Sequence, residues 1–316
     1  MPRPTKHSWS GLLCCAALAA VLLPMPAGPV AAQEADGPQL FDTPEAARQA
    51  LVQALEARDI DALLHILGTR YRDDLIPDDE ADFKDGLDDV VAAAKAGVTL
   101  EGDGDQRTIV MGSAGWIFPI PITRAEGAWR FDTEDGLDEI LARRIGGNEL
   151  SAITVMRAYG PAQLAYATKD RDGDAVLEYA QRLVSSPGLQ DGLYWPDSAG
   201  TDPSPIGPLV SEDQSYFESR RPGNPYHGYY FRILTRQEAG VPGGRYDYVI
   251  NGNMIAGFAL IAVPAEYGET GRMTFVVSHH GPILEKDLGD RTEVLAAAIQ
   301  SFPADEGWDE VTPDSP

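Results

Sequence analysis

The chain has 316 residues, 43% of them hydrophobic, and its 49 acidic against 25 basic residues give a formal net charge of −24. So acidic a surface repels nucleic acid and anionic lipid headgroups, and favours solubility or association with cations. Cys14 and Cys15 are the only cysteines and lie near the start, so the body of the chain can use neither a disulfide framework nor thiolate chemistry.

Residues 1–32 read as a secretory signal peptide. Arg3 and Lys6 supply the charged start, 11–23 the apolar run, and Val30, Ala31 and Ala32 the small-residue end, with cleavage expected after Ala32. The apolar run is shorter than the ~20 residues a helix needs to span a bilayer, and no later stretch is longer. Both cysteines sit early in that run behind Leu12 and Leu13, which is the wrong place for a lipid attachment site. The mature chain is therefore expected in the periplasm or outside the cell, with no stable membrane insertion.

From residue 33 the pattern turns helical. Asp42 or Thr43 caps a helix with Pro44 at its first position and Ala47, Leu51, Ala54 and Leu55 on one face. Asp59 restarts a second helix through Leu63, Leu64 and Leu67, and a third runs over 82–96. Strand-like runs follow over 107–111, 116–124 and 128–132, the middle one marked as an edge strand by Pro119 and Pro121. Helices followed by a curved antiparallel sheet resemble the cone-shaped nuclear-transport-factor-2-like fold.

Thr133 opens another helix that Gly146-Gly147 should break, and Asn148 restarts a long one that Gly160-Pro161 should kink. The glycine pair is the expected boundary between an N-terminal unit, 33–146, and a C-terminal unit, 147–303, ahead of an acidic tail, 304–316. The second unit reads as a helix over 177–184, a long Gly/Pro-rich insertion over 185–225, strands over 229–235, 245–251, 258–263, 273–278 and 283–286, and a short helix near 293–302. A long helix leading into a loop and a meander resembles the globular head of type IV pilin-like proteins. The expected class is α+β, two helix-plus-antiparallel-sheet units with the loop-rich insertion in the second.

Several longer motifs in the second unit are distinctive: Asp191-Gly192-Leu193-Tyr194-Trp195-Pro196, Ser204-Pro205-Ile206-Gly207-Pro208-Leu209, Pro225-Tyr226-His227-Gly228-Tyr229-Tyr230, Tyr246-Asp247-Tyr248, Gly257-Phe258-Ala259-Leu260 and Pro264-Ala265-Glu266-Tyr267-Gly268. Together they are similar to the exported bacterial family catalogued as domain of unknown function 2950. That resemblance implies an envelope protein of Gram-negative type; it carries no established activity, so no catalytic residue is inherited.

Asp170, Asp172 and Asp174 alternate in the way short loops present oxygens to calcium, with Glu178 beyond them. The register is not that of an EF-hand, which needs glycine and glutamate where this chain has Ala175 and Gln181. Calcium is the one cofactor the sequence suggests; the competing reading is a polar turn in which Asp174 caps the next helix. His227, His279 and His280 lack zinc-ligand spacing, and adjacent histidines on a strand point to opposite faces. Ser113 and Ser204 lack the flanking residues of a nucleophile.

Tyr194, Trp195, Tyr226, His227, Tyr229, Asp247, Tyr248 and Asn251 form the densest set of rings and polar tips, the composition of a surface for a carbohydrate, peptide or protein, and equally of a packed core. The expected function is a non-enzymatic binding or accessory module of the cell envelope, with an envelope protein or polymer as partner. The alternative is a hydrolase of an envelope polymer using a carboxylate or His227 as acid/base.

Overall fold

A computed structural model describes residues 36–76, 80–196, 202–207, 224–303 and 307–312; the expected signal peptide and most of the acidic tail lie outside these residues. The protein is α+β, with two antiparallel sheets, each carrying its own buried apolar cluster.

In the first unit, α1 (Pro44–Ala57) starts at Thr43, whose hydroxyl accepts from the Ala46 amide at 3.1 Å. Its buried stripe of Ala47, Leu51, Ala54 and Leu55 has helical spacing. Asp59 caps α2 (Ile60–Leu67) through the Ala62 amide at 3.0 Å, and α3 (Arg72–Leu75) and α4 (Glu80–Ala96) complete the helical layer. The sheet beneath has the order β1 (Val98–Glu101), β2 (Gln106–Met111), β4 (Ile122–Ala125), β5 (Ala128–Phe131), with β3 (Trp116–Ile117) also on β2.

The expected edge strand holds for one half of its run. β3 pairs with β2 alone and is an edge among the described residues, whereas β4 lies between β2 and β5, and the run is split where Pro119 and Pro121 lack amide donors. Just ahead of the prolines, the Phe118 amide extends the ladder, 2.9 Å from the Ile109 carbonyl.

A second correction concerns α5, a single helix of 34 residues, Thr133–Tyr166, that runs through Gly146-Gly147; Pro161, where a kink is expected, lies within it. Contacts on either side explain why the glycines do not break it. Gly136 lies so close to Ile120 that a Cβ would sit 2.5 Å from its side chain, and Ile145 is buried. Just beyond the pair, the Asn148 side chain donates to the Thr270 carbonyl at 2.9 Å, and Glu149 accepts from the Arg272 and Met273 amides. A helix held on both sides tolerates the roughly 1 kcal/mol that each internal glycine costs.

The second sheet is the antiparallel order β14 (Asp309–Glu310), β13 (Ile283–Asp287), β12 (Met273–Ser278), β11 (Ala259–Pro264), β6 (Tyr229–Leu234). α5 packs on β11, β12 and β13, and α6 (Thr292–Ala298) packs on β11. Sandwiched in this way, β11 is buried on both faces, which suits its nearly continuous apolar sequence. Between β6 and β11 the chain forms two small hairpins, β7 (Arg236–Gln237) with β8 (Tyr246–Asp247), and β9 (Val249–Ile250) with β10 (Asn253–Met254).

The helix expected over 177–184 does not form. The buried Gln163 side chain on α5 binds the Ala180 carbonyl through Nε2 at 2.9 Å and the Ala180 amide through Oε1 at 2.7 Å, as a strand partner would. The Tyr179 amide bonds the Met254 carbonyl, and 182–185 pairs with Leu193 and Tyr194. The Ala180 bonds take an amide and a carbonyl that a helix over 177–184 would pair internally, and the others hold the flanking residues against distant backbone. No helix among the described residues is long and apolar enough to cross a membrane.

Candidate functional site

Of the aromatic set, Tyr194, Trp195, Tyr226, Tyr229 and Tyr248 come together, but as core: all are under 5% exposed and belong to the apolar cluster of the second sheet. Three of their polar tips are spent internally, the Tyr229 hydroxyl on the Met273 carbonyl at 2.9 Å, the Trp195 indole on the Asp202 carbonyl at 2.9 Å, and the Tyr248 hydroxyl on Gln237 at 3.2 Å. Burial pushes the Tyr229 and Tyr248 phenols well above their ordinary range. Five rings closed off in this way offer no contact surface.

The polar members are scattered. His227 sits in the turn before β6, with a positive φ of 42°, against the Tyr226 ring at 4.4 Å. Asp247 lies past the other end of β6, ion-paired with Arg236 at 3.6 Å. Six strand residues separate the two, about 20 Å, so they share no acid/base site. Asn251 is an exposed turn residue with φ 54°.

Asp170, Asp172 and Asp174 do converge, with one carboxylate oxygen from each within 4.8 Å of the others. The loop also satisfies them internally. Asp170 accepts from the Gly173 and Ala175 amides, which hold its carboxyl below the usual range, and Asp172 accepts from the Asp174 amide. Asp174 accepts from the Val176 amide and from the Asn253 side chain, so it caps no helix. Glu178 faces elsewhere, accepting from the Met254 amide at 3.0 Å. Between the acidic residues, Arg171 stacks on Tyr166 and Trp195, 4.9 and 5.0 Å from their ring centres, and ties the loop to the end of α5.

Two features were not singled out as sites from the sequence. The first is an apolar cavity of about 410 Å³ in the N-terminal unit, walled by Leu51 and Leu55 of α1, Leu63 of α2, Leu87 and Val90 of α4, and Phe118 of the β3–β4 link. Its wall is apolar at every side chain from α1 to Ile140 of α5. Gly86 opens onto it from the middle of α4, and a Cβ there would meet no atom within 4 Å. Phe118 and Pro119 also line a neighbouring acidic recess with Asp135, Asp138 and Glu139. The amphipathic faces of these helices were legible in the sequence; that they leave a gap between them was not. A glycine in mid-helix with no turn to make was the available signal.

The second is a polar cluster at the far end of the second sheet. β12 ends at Ser278, and the turn brings the His279 and His280 rings side by side, 4.1 Å apart and 37° from parallel. The opposite-faces rule stops where the strand stops. Gly257, at φ 151°, makes room: a Cβ there would lie 2.7 Å from the His279 ring and 3.0 Å from Tyr248. His279 Nδ1 lies 3.4 Å from the Phe258 carbonyl and Nε2 lies 3.2 Å from the Tyr246 hydroxyl. A carbonyl only accepts, so Nδ1 carries the hydrogen and Tyr246 donates to Nε2. Burial, with the neighbouring His280 adding to it, pulls the His279 pKa below its ordinary value and keeps the ring neutral, although the Phe258 bond acts the other way. The buried Gln237 gives both its amide hydrogens to the Pro242 and Gly244 carbonyls at 2.8 Å, so its oxygen accepts from Tyr248 and, at 3.4 Å, from His280 Nε2.

Comparison with known proteins finds no curated protein and no solved structure that matches, and the likenesses to the nuclear-transport-factor-2-like and pilin-like folds are not confirmed. A family model described as a protein of unknown function, DUF2950, matches residues 38–311. That span takes in both sheets and the helix joining them, and the chain belongs to the DUF2950 family.

Proposed function

We propose that the protein is an exported binding module of the cell envelope whose N-terminal unit holds a small apolar molecule. The apolar cavity between the helical layer and the β3–β4 link carries this reading. Its volume, about 410 Å³, falls in the range of small-molecule pockets, about 300–1,000 Å³. Apolar walls open to water are unfavourable, and an apolar occupant would remove them from it. The charge, apolar run and small-residue order of residues 1–32 support export, with a mature start at Gln33.

The test uses the fluorescent apolar probe N-phenyl-1-naphthylamine with the mature protein. Saturable emission at one site per chain is expected. Gly86→Leu would fill the gap and remove a mid-helix glycine, worth roughly 1 kcal/mol in helix propensity. This variant should melt higher than the parent and bind the probe at least tenfold more weakly. Probe binding that is absent in the parent, or unchanged in a folded Gly86→Leu, overturns the reading. N-terminal sequencing of the envelope fraction tests the export arm separately.

A further inference from the structure

β6 is the last strand of the second sheet, and its hydrogen bonds show what its outer side presents. Tyr229 exchanges both of its backbone bonds with Tyr226, and the Thr235 carbonyl accepts from the Tyr248 amide, so 229 and 235 point away from β11. Backbone groups alternate in direction along an antiparallel strand, which leaves Tyr230, Arg232 and Leu234 bonded to β11. Phe231 and Ile233 therefore turn an N–H and a C=O each outward, and these groups have no partner among the described residues. A cleft of about 530 Å³ runs along this stretch, lined by Phe231, Arg232 and Ile233 on one side and by 181–187 on the other. Val184, in the second wall, is open in the same way. Its bridge to Tyr194 uses the Leu183 carbonyl and the Ser185 amide, so its own N–H and C=O point away from Tyr194.

Charge narrows what could lie there. The charged side chains lining the cleft are Arg182 and Arg232, with no carboxylate among the described lining residues. Asp191 matches Arg182 at 3.7 Å. Arg232 gives Nη2 to the Ala296 and Ile299 carbonyls at 3.0 and 2.7 Å and has no carboxylate partner among the described residues. In a protein of net charge −24, the free strand thus carries an uncompensated positive charge.

We infer that the cleft takes up an extended peptide segment of a partner protein, which adds to the outer side of β6 and carries an acidic side chain between two apolar ones. Unpaired donors and acceptors at strand spacing are satisfied by another extended backbone. Every pairing in this sheet is antiparallel. In that arrangement the peptide residue opposite Arg232 has its Cβ about 4.5–5.5 Å from the arginine Cβ and on the same face, the place for a carboxylate. The residues opposite Phe231 and Ile233 fall on the other face, beside two partly buried apolar side chains that pack on the core.

The experiment is amide hydrogen exchange by NMR on the mature protein, with a pentapeptide blocked at both ends, threonine–valine–glutamate–valine–threonine, as the probe. In the free protein the Phe231 and Ile233 amides should exchange fast, while those of Tyr230, Arg232 and Leu234 are protected by the ladder. Millimolar peptide should slow the Phe231 and Ile233 amides at least tenfold. Methylating both valine nitrogens, which removes the donors to the Phe231 and Ile233 carbonyls, should weaken binding about tenfold or more. Lysine in place of the glutamate should weaken it about fivefold, despite the acidity of the protein as a whole. The inference is overturned if the two amides are already protected in the free protein, which would mean that the chain covers its own edge. It is equally overturned if the peptide leaves them unchanged, or if the methylated or the lysine peptide binds as tightly as the parent peptide. The comparison needs no substitution in the protein, so a folding defect cannot mask the result.

Discussion

Gln163→Met is the sharpest test of how the second unit is assembled. The side chain is fully buried and makes three bonds: Nε2 to the Tyr159 hydroxyl at 2.9 Å, Nε2 to the Ala180 carbonyl at 2.9 Å, and Oε1 from the Ala180 amide at 2.7 Å. Methionine keeps the volume and removes all three. Tyr159 retains its own bond to the Ala259 carbonyl at 3.2 Å, so its hydroxyl is not stranded. Ala180, 1% exposed, loses the partners of both its backbone groups. At about 1–3 kcal/mol for each of the two buried groups left unpaired, the loss should be about 2–6 kcal/mol. For a unit of this size that is a fall of roughly 5–15 °C in melting temperature. Urea unfolding followed by tryptophan fluorescence reads the difference at constant m-value. Gln163→Glu keeps the acceptor for the Ala180 amide and loses the donor, and its buried carboxyl should titrate upward, so that variant should recover stability on acidification. A loss under 1 kcal/mol for Gln163→Met would refute the claim that this side chain stands in for a strand.

Three further outcomes are expected. Gly257→Ala should displace the His279 ring and strain a backbone at φ 151°, lowering the melting temperature and shifting the His279 imidazole resonances; unchanged resonances would show that the glycine is not what admits the ring. Because folding lowers the His279 pKa, its neutral form contributes stability that is fully present above the unfolded value near 6.5 and is lost as pH falls below it. The difference in melting temperature between the parent and His279→Gln should therefore narrow between pH 7 and pH 5, and a constant difference would contradict the assignment. Asp170, Asp172 and Asp174 already accept amide hydrogens from their own loop, so chelator treatment should leave the melting temperature unchanged; a rise of more than 5 °C on adding millimolar calcium would overturn that expectation and establish a cation site.

The sequence was legible wherever the determinants were local. The capping residues at 42–43 and Asp59 announced the first two helices, and strand-like runs announced β2, β6, β11, β12 and β13. It failed where distant partners outbid local preference. The 177–184 segment has helical composition, but its backbone groups are taken by Gln163, Met254 and Leu193–Tyr194, all far away in sequence or across a turn. Gly146-Gly147 carries a real propensity cost, offset by contacts to Ile120 on one side and to the 270–273 segment on the other. Five rings of the aromatic motifs lie in the core of the second sheet, and composition does not distinguish a ring that fills a core from one that faces a ligand. The cavity near Gly86 and the Tyr246–His279 contact are properties of empty space and of turn geometry, and neither has a sequence period.

The unbroken α5 has a consequence for dividing the chain. At 34 residues it is a rod of about 50 Å; its C-terminal half belongs to the apolar cluster of the second sheet, and its first turns meet the other cluster where Gly136 lies against Ile120. A fragment ending at 132 would lose the Thr133 hydroxyl bond to the Leu67 carbonyl and the Gly136 contact that seats Ile120 against the cavity. One beginning at 147 would lose the Arg144 bonds to Glu269 and start on a frayed helix end. The two halves share a common beam, and each needs its own stretch of it, 133–143 for the first sheet and 144–166 for the second.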